Sequence, residues 1–133
     1  MKDNSLGIEP ITTSRPEIHK KGWGEEIWIA NNERYCGKIL CFNKGAEFSF
    51  HYHMLKHETF FVLKGRLELR VIDLSDATRH ENEVRQGDVI TIPAGNPHKL
   101  IALEDSEILE VSTQHRESDS YRIEPGDSQK LKA

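Results

Sequence analysis

The chain has 133 residues, 36% hydrophobic and 30% charged, with a formal net charge of -4. That length supports one domain with its own core, without disulfide staples. The acidic balance, the absence of a membrane-length apolar run and the polar opening segment argue against nucleic acid or a membrane as main partner, and a cytoplasmic setting is expected.

Taken in chain order, residues 1–25 read as an extended arm, 26–115 as the folded barrel and 116–133 as a polar tail. Within the middle segment no helical period is sustained. Short runs rich in Val, Ile, Leu, Phe and Tyr are punctuated at Gly22, Gly45, Gly65, Gly87 and Pro93–Gly95, which predicts an all-β sandwich or barrel. Strands are expected at 26–30, 35–42, 47–53, 58–64, 66–73, 82–85, 89–92, 98–102 and 107–112. The two cysteines, Cys36 and Cys41, would fall on opposite faces of one strand. No bridge between them is expected, in keeping with a reducing compartment.

Strict alternation over 47–53 puts Ser49, His51 and His53 on one face and Phe48, Phe50 and Tyr52 on the other. If the histidines face a lumen, the three rings face outward and need a cover. The arm or a homodimer partner could supply it.

His51 and His53 then converge on one point. Glu58 follows after a short turn and can present its carboxylate to the same centre, and His98 emerges from the sharp PAGNP bend. Three imidazoles and one carboxylate suit a divalent transition metal, with Zn, Fe, Mn and Ni not distinguished, and leave room for a small-molecule substrate. The bland alternative is a set of core histidines around a hydrogen-bonded Glu. It fares poorly because an uncompensated buried carboxylate is costly.

Gly45, His51, His53, Glu58 and Gly65, followed by Gly87, Pro93, Gly95 and His98, resemble the two sequence motifs of the cupins. The one departure within them is Ala102, where an Asn is usual. The resemblance implies a double-stranded β-helix jelly-roll barrel, commonly dimeric, with a metal held at His51, His53, Glu58 and His98. The wider sequence looks like the C-terminal domain of mannose-6-phosphate isomerase. The likeness rests on Lys21–Gly24, the run from Tyr35 to Gly45, Glu58–Gly65, Ile92–His98 and Glu110–Val111. His51 stands where that branch carries Gln, and the branch's tail is loosely echoed by Ser118–Arg122. This second resemblance implies aldose/ketose isomerisation of a sugar or sugar phosphate. An iron(II) dioxygenase and a non-catalytic sugar-binding module remain open on the same ligands.

Glu110, a carboxylate in the apolar run EILEV, is the candidate general base, or else faces solvent. Lys38 shares parity with Leu40 and Phe42, so its amine either reaches the lumen as a catalytic or anion-binding group or snorkels to the barrel mouth. Arg122 is a second candidate for a phosphate. Trp23 is expected as a core plug or a cover for the site, His57 as a turn residue, and His19, His80 and His115 as surface residues.

Overall fold

The computed structural model describes residues 6–130, and the first five and last three positions of the expected arm and tail lie outside them. In chain order the strands are β1 (Glu17–Lys21), β2 (Gly24–Asn31), β3 (Cys36–Phe42), β4 (Phe50–Tyr52), β5 (Glu58–Lys64), β6 (Arg66–Asp73), β7 (Thr78–Arg85), β8 (Val89–Ile92), β9 (His98–Ala102), β10 (Ser106–Ser112) and β11 (Tyr121–Glu124). They form two antiparallel sheets: six strands in the order β1-β2-β3-β10-β5-β8, and five in the order β11-β4-β9-β6-β7. A single 3-10 turn, Glu117–Asp119, is the helical content among the described residues, and no helix there is long and apolar enough to cross a membrane. The jelly-roll barrel expected from the motifs is the fold observed.

Alternation explains the layering. In β3, Cys36, Lys38, Leu40 and Phe42 are buried while Gly37, Ile39 and Cys41 are only partly so. β5 and β10 repeat that period. Their inward residues meet in register: Lys38 lies opposite Glu110, and Glu110 opposite Phe60. One end of the space between the sheets is apolar, filled by Leu40, Phe42, Phe60, Val62, Leu67, Leu100 and Ile108. The other end holds the inward polar side chains described below. Both cysteines are free, Cys36 buried and Cys41 partly so.

Four expected strands, 58–64, 66–73, 89–92 and 98–102, have the bounds read from the sequence. Segment 47–53 does not. Its regular strand is only Phe50–Tyr52, and Glu47 makes an isolated bridge to Ile101. The expected outward trio of rings is therefore corrected. Phe48 turns into the core beside Trp23 and Phe42, with ring centroids 6.3 and 5.8 Å away. The tail lies against this segment: Gly126 passes so close to Phe48 and Ser49 that a Cβ there would collide with their backbone. Phe50 is shielded by Arg79, whose guanidinium lies 5.4 Å from the ring centroid, and Tyr52 stacks on Tyr121 at 5.2 Å.

Arm and tail both contribute strands, β1 beside β2 and β11 beside β4. They also meet each other, since the Gly22 amide donates to the Ser128 hydroxyl at 2.9 Å. Where the arm enters β2, Gly24 has φ of 149° and lies against the Cys41 carbonyl oxygen, a place no side chain can occupy. Leu100 has 0% exposure at the centre of the core. Leu100→Ala should cost about 2–5 kcal/mol in urea unfolding, against less than about 0.5 kcal/mol for the exposed Leu74→Ala.

Candidate metal centre

His51 and His98 are directly paired across the β4–β9 ladder, so both imidazoles leave the five-stranded sheet side by side. His53 lies just past the end of β4, and Glu58 opens β5 on the facing sheet. The three histidines thus converge, and Glu58 reaches His98 and His53 from the facing sheet. One ring nitrogen of each histidine lies within 4.8 Å of the others. Two donors each about 2.1 Å from one ion are at most about 4.2 Å apart, so the cluster is close to ligating geometry.

Each ring is held from behind. Nδ1 of His51 donates to the Ser49 carbonyl at 2.7 Å, that of His53 to Asp119 at 2.8 Å and that of His98 to Asn96 at 2.9 Å. A carbonyl only accepts, so Nδ1 carries the hydrogen in all three, and the Nε2 lone pair is left facing inward. Burial pushes the His51 pKa down to about 3 and lowers that of His53. Both rings are therefore neutral near pH 7, the form a metal needs.

Glu58 Oε1 lies 3.0 Å from His98 Nε2 and 3.7 Å from His53 Nε2. The closer contact lacks hydrogen-bond geometry, so Glu58 Oε1 and His98 Nε2 are both buried without a hydrogen-bond partner. These two buried polar atoms, with the inward nitrogens of His51 and His53 beside them, make an N/O donor set that fits a divalent transition ion. Burial alone would raise the Glu58 pKa, but His98, Lys56 and His53 outweigh it and hold the carboxyl well below its usual range.

The sequence reading missed Lys56. Its turn position suggested solvent, yet it is 3% exposed. Its Nζ sits 2.5 Å from Glu110 Oε2 and 3.6 Å from Glu58 Oε2. Burial would lower its pKa, but the two carboxylates more than offset this and raise it. The available signal was its parity with Glu58, two residues on. Asp119 was also passed over. Its carboxylate accepts from the amides of Met54, Leu55 and Lys56 at 2.8–3.2 Å. One tail residue thus clamps the ligand-bearing turn and, through its carbonyl, orients His53.

Glu110 and Lys38 both face the interior and are 3% and 2% exposed. Glu110 also accepts from the Ser112 hydroxyl at 2.8 Å. Lys38 Nζ lies 3.4 Å from Glu26 and 4.2 Å from the centroid of the Trp28 ring, a buried amine held by charge and by a π face. His115, expected at the surface, instead lines the same cavity with its Nδ1 3.2 Å from Lys56 Nζ. Burial and the Lys56 charge bring its pKa down to about 4. His19 is likewise half-buried, stacked on Trp28 at 4.1 Å, whereas His57 and His80 are exposed as expected.

His51, His53, Glu58, Lys56, Glu110, Lys38 and His115 line one cavity of about 110 Å³, with Lys21 and Arg122 also on its walls. A cupin-domain family model matches residues 38–113, the span that carries every candidate ligand. The chain belongs to the cupin family. No curated protein matches the sequence. Among solved structures, this cupin is similar to oxalate decarboxylase from Bacillus subtilis, with TM-score 0.72 and 18% identity over 86% of this chain and 33% of that one. It is also similar to the capsular polysaccharide assembling protein CapF from Staphylococcus aureus, with TM-score 0.73 and 19% identity over 84% of this chain and 32% of that one. The chain thus spans about a third of the length of either neighbour. Mn(II) centres are present in the Bacillus subtilis oxalate decarboxylase.

Two outcomes follow from this geometry. Asp119→Ala should weaken binding of Mn(II) or Zn(II) by about 10–100-fold in a competition titration, with the β-sheet circular dichroism retained. In metal-free protein, the depressed His115 pKa makes stability complete above about 6.5 and lost as pH falls toward about 4, because the unfolded ring takes up the proton first. Urea midpoints measured from pH 7 to 4 in chelator should therefore fall less steeply in His115→Gln than in the wild type.

Proposed function

We propose that this cupin is a metal-dependent enzyme that moves a proton beside the carbonyl of a small oxygen-rich substrate. Aldose/ketose isomerisation of a sugar or sugar phosphate is the favoured case. The observation that carries the proposal is the buried Lys56–Glu110 pair, 2.5 Å apart, on the wall of the cavity that His51, His53 and Glu58 also line. A dioxygenase or a passive sugar-binding module has no need of such an acid–base couple.

His51, His53, Glu58 and His98 would hold the divalent ion, whose contribution when bound is Lewis-acid polarisation of the substrate carbonyl. Glu110, as the carboxylate, takes the proton from the carbon next to the carbonyl. Lys56, as the ammonium, supplies one to the carbonyl oxygen, which gives a neutral enediol. Returning the first proton to the former carbonyl carbon, and restoring that of Lys56 from the neighbouring hydroxyl, completes the isomerisation. Lys38, paired with Glu26 at the cavity wall, acts on an anionic group of the substrate.

The cavity is smaller than the roughly 150 Å³ that holds benzene. It takes the reacting end of a substrate, and the remainder lies toward the mouth, where Lys21 and Arg122 suit a phosphate. The same small size supports a second reading, turnover of a short carboxylate, for which oxalate decarboxylase is the structural neighbour in point. The cytoplasm is the proposed setting, in keeping with two free cysteines.

In deuterated water, with Mn(II) or Zn(II) added, the protein should wash label into an aldose or ketose phosphate at the carbon beside the carbonyl. Glu110→Gln and Lys56→Met should each slow that exchange by about 10²–10⁴-fold while leaving ion binding in place. Absence of label from a panel of sugar phosphates, with short carboxylates consumed instead, would transfer the assignment to the second reading.

A further inference from the structure

The rim of the cavity is made by one part of the chain. Of the residues on its walls, the exposed ones, Glu117, Arg122 and Ser128, all come from the tail. The six-stranded sheet contributes buried residues such as Lys38, Phe60 and Glu110. Whatever enters from water therefore passes the tail. Against the tail lies the turn between β1 and β2, which puts Lys21 and Trp23 on the same wall.

Each side of this seam is tied firmly to its own sheet. On the tail side the Asp127 amide donates to the Glu47 carbonyl at 3.0 Å, and the Glu47 amide donates back to the Asp127 carboxylate at 2.8 Å. Lys130 Nζ lies 3.1 Å from Asp127 and 3.4 Å from Glu47. On the other side the Asn43 amide donates to the Trp23 carbonyl at 3.0 Å, and the Trp23 ring stacks on Phe42 at 4.6 Å. Between the two turns, among the described residues, runs one hydrogen bond, from the Gly22 amide to the Ser128 hydroxyl, and it is exposed. The backbones approach closely there, since a Cβ on Gly22 would lie 2.5 Å from the Asp127 carbonyl. Loss of one such bond shifts an opening equilibrium by a factor of about 2 to 10, so the seam is the weakest line around the cavity rim.

We infer that the seam between Gly22 and Ser128 is the gate to the cavity: the two turns part there while each stays on its own sheet. What passes the gate, an ion and then a small substrate, rests on the proposed function. Where the gate lies follows from the packing of the rim alone. A gate and a structural support differ in their effect on rates. A gate that opens more often speeds entry and exit by the same factor and leaves the dissociation constant unchanged, whereas a support for the ligands alters the constant itself.

Gly22→Ala, whose Cβ pushes against the Asp127 backbone, and Ser128→Ala, which lacks the hydroxyl, should both hold the turns apart. In a Trp28→Phe background Trp23 is the sole tryptophan, and it is 3% exposed in the closed form. Its quenching by acrylamide in metal-free protein should rise about 2- to 10-fold in both variants, with the far-UV spectrum unchanged. In stopped-flow mixing with Zn(II), association and dissociation should quicken by one common factor. Ser128→Thr, which keeps the hydroxyl, should stay at the wild-type rates. Quenching equal to that of the wild type in both alanine variants would overturn the inference, and so would a Zn(II) affinity that weakens with no change in association rate. A wild-type chain that binds no Zn(II) would count against the metal centre, and the quenching of Trp23 would still decide the gate.

Discussion

The interior of this barrel is organised around one buried carboxylate. Glu58 is 2% exposed, and desolvating a carboxylate costs several kcal/mol unless partners restore what water supplied. Here Lys56 partners one oxygen, while the other faces the inward nitrogens of His98 and His53 without a hydrogen bond. Lys56 is itself buried and held chiefly by Glu110. The two carboxylates and the one ammonium leave the site one negative charge in excess. A divalent ion reverses that excess, and an anionic group on a substrate then restores neutrality. The same charges that keep the apolar barrel from rejecting Glu58 therefore define what it can accept.

Topology sets where this happens. The inward rows of the six-stranded sheet change character along the strands. Leu40, Ile108 and Val62 lie across from one another at the apolar end, then Lys38, Glu110 and Phe60, then Cys36, Ser112 and Glu58. Polar groups thus accumulate toward one mouth of the barrel, while the apolar end carries the packing energy. The facing sheet adds His51 and His98 as a directly paired couple. Its edge strand β11 brings Arg122 opposite His51.

Much of this was legible in the sequence because it depends on periods and spacings. The alternation of CGKILCF and ETFFVLK placed Lys38 and Glu58 inward, and the glycine punctuation set the bounds of β5, β6, β8 and β9. The motif spacing singled out the three histidines that converge and the carboxylate beside His98 and His53. What escaped was fixed by contacts between distant segments. Lys56 sits in a turn, where a lysine ordinarily reaches solvent, and only the buried Glu110 draws it in. Phe48 breaks its strand's alternation where Gly126, far along the chain, lies against its backbone. Asp119 and His115 lie in a polar stretch whose local composition suggests nothing but hydration. Their roles come from a turn more than sixty residues earlier in the case of Asp119, and from Lys56 in the case of His115.

That distance has a consequence for biosynthesis. The turn carrying Lys56 and leading into Glu58 is clamped by a residue made well after the turn itself and after β10, and β11 joins the histidine-bearing strand later still. A nascent chain therefore emerges with its cation-binding side chains unassembled. The turn before Glu58 and the outer neighbour of the histidine strand are therefore both held by one later segment, and the candidate ligands are fixed in place only once that segment has been made.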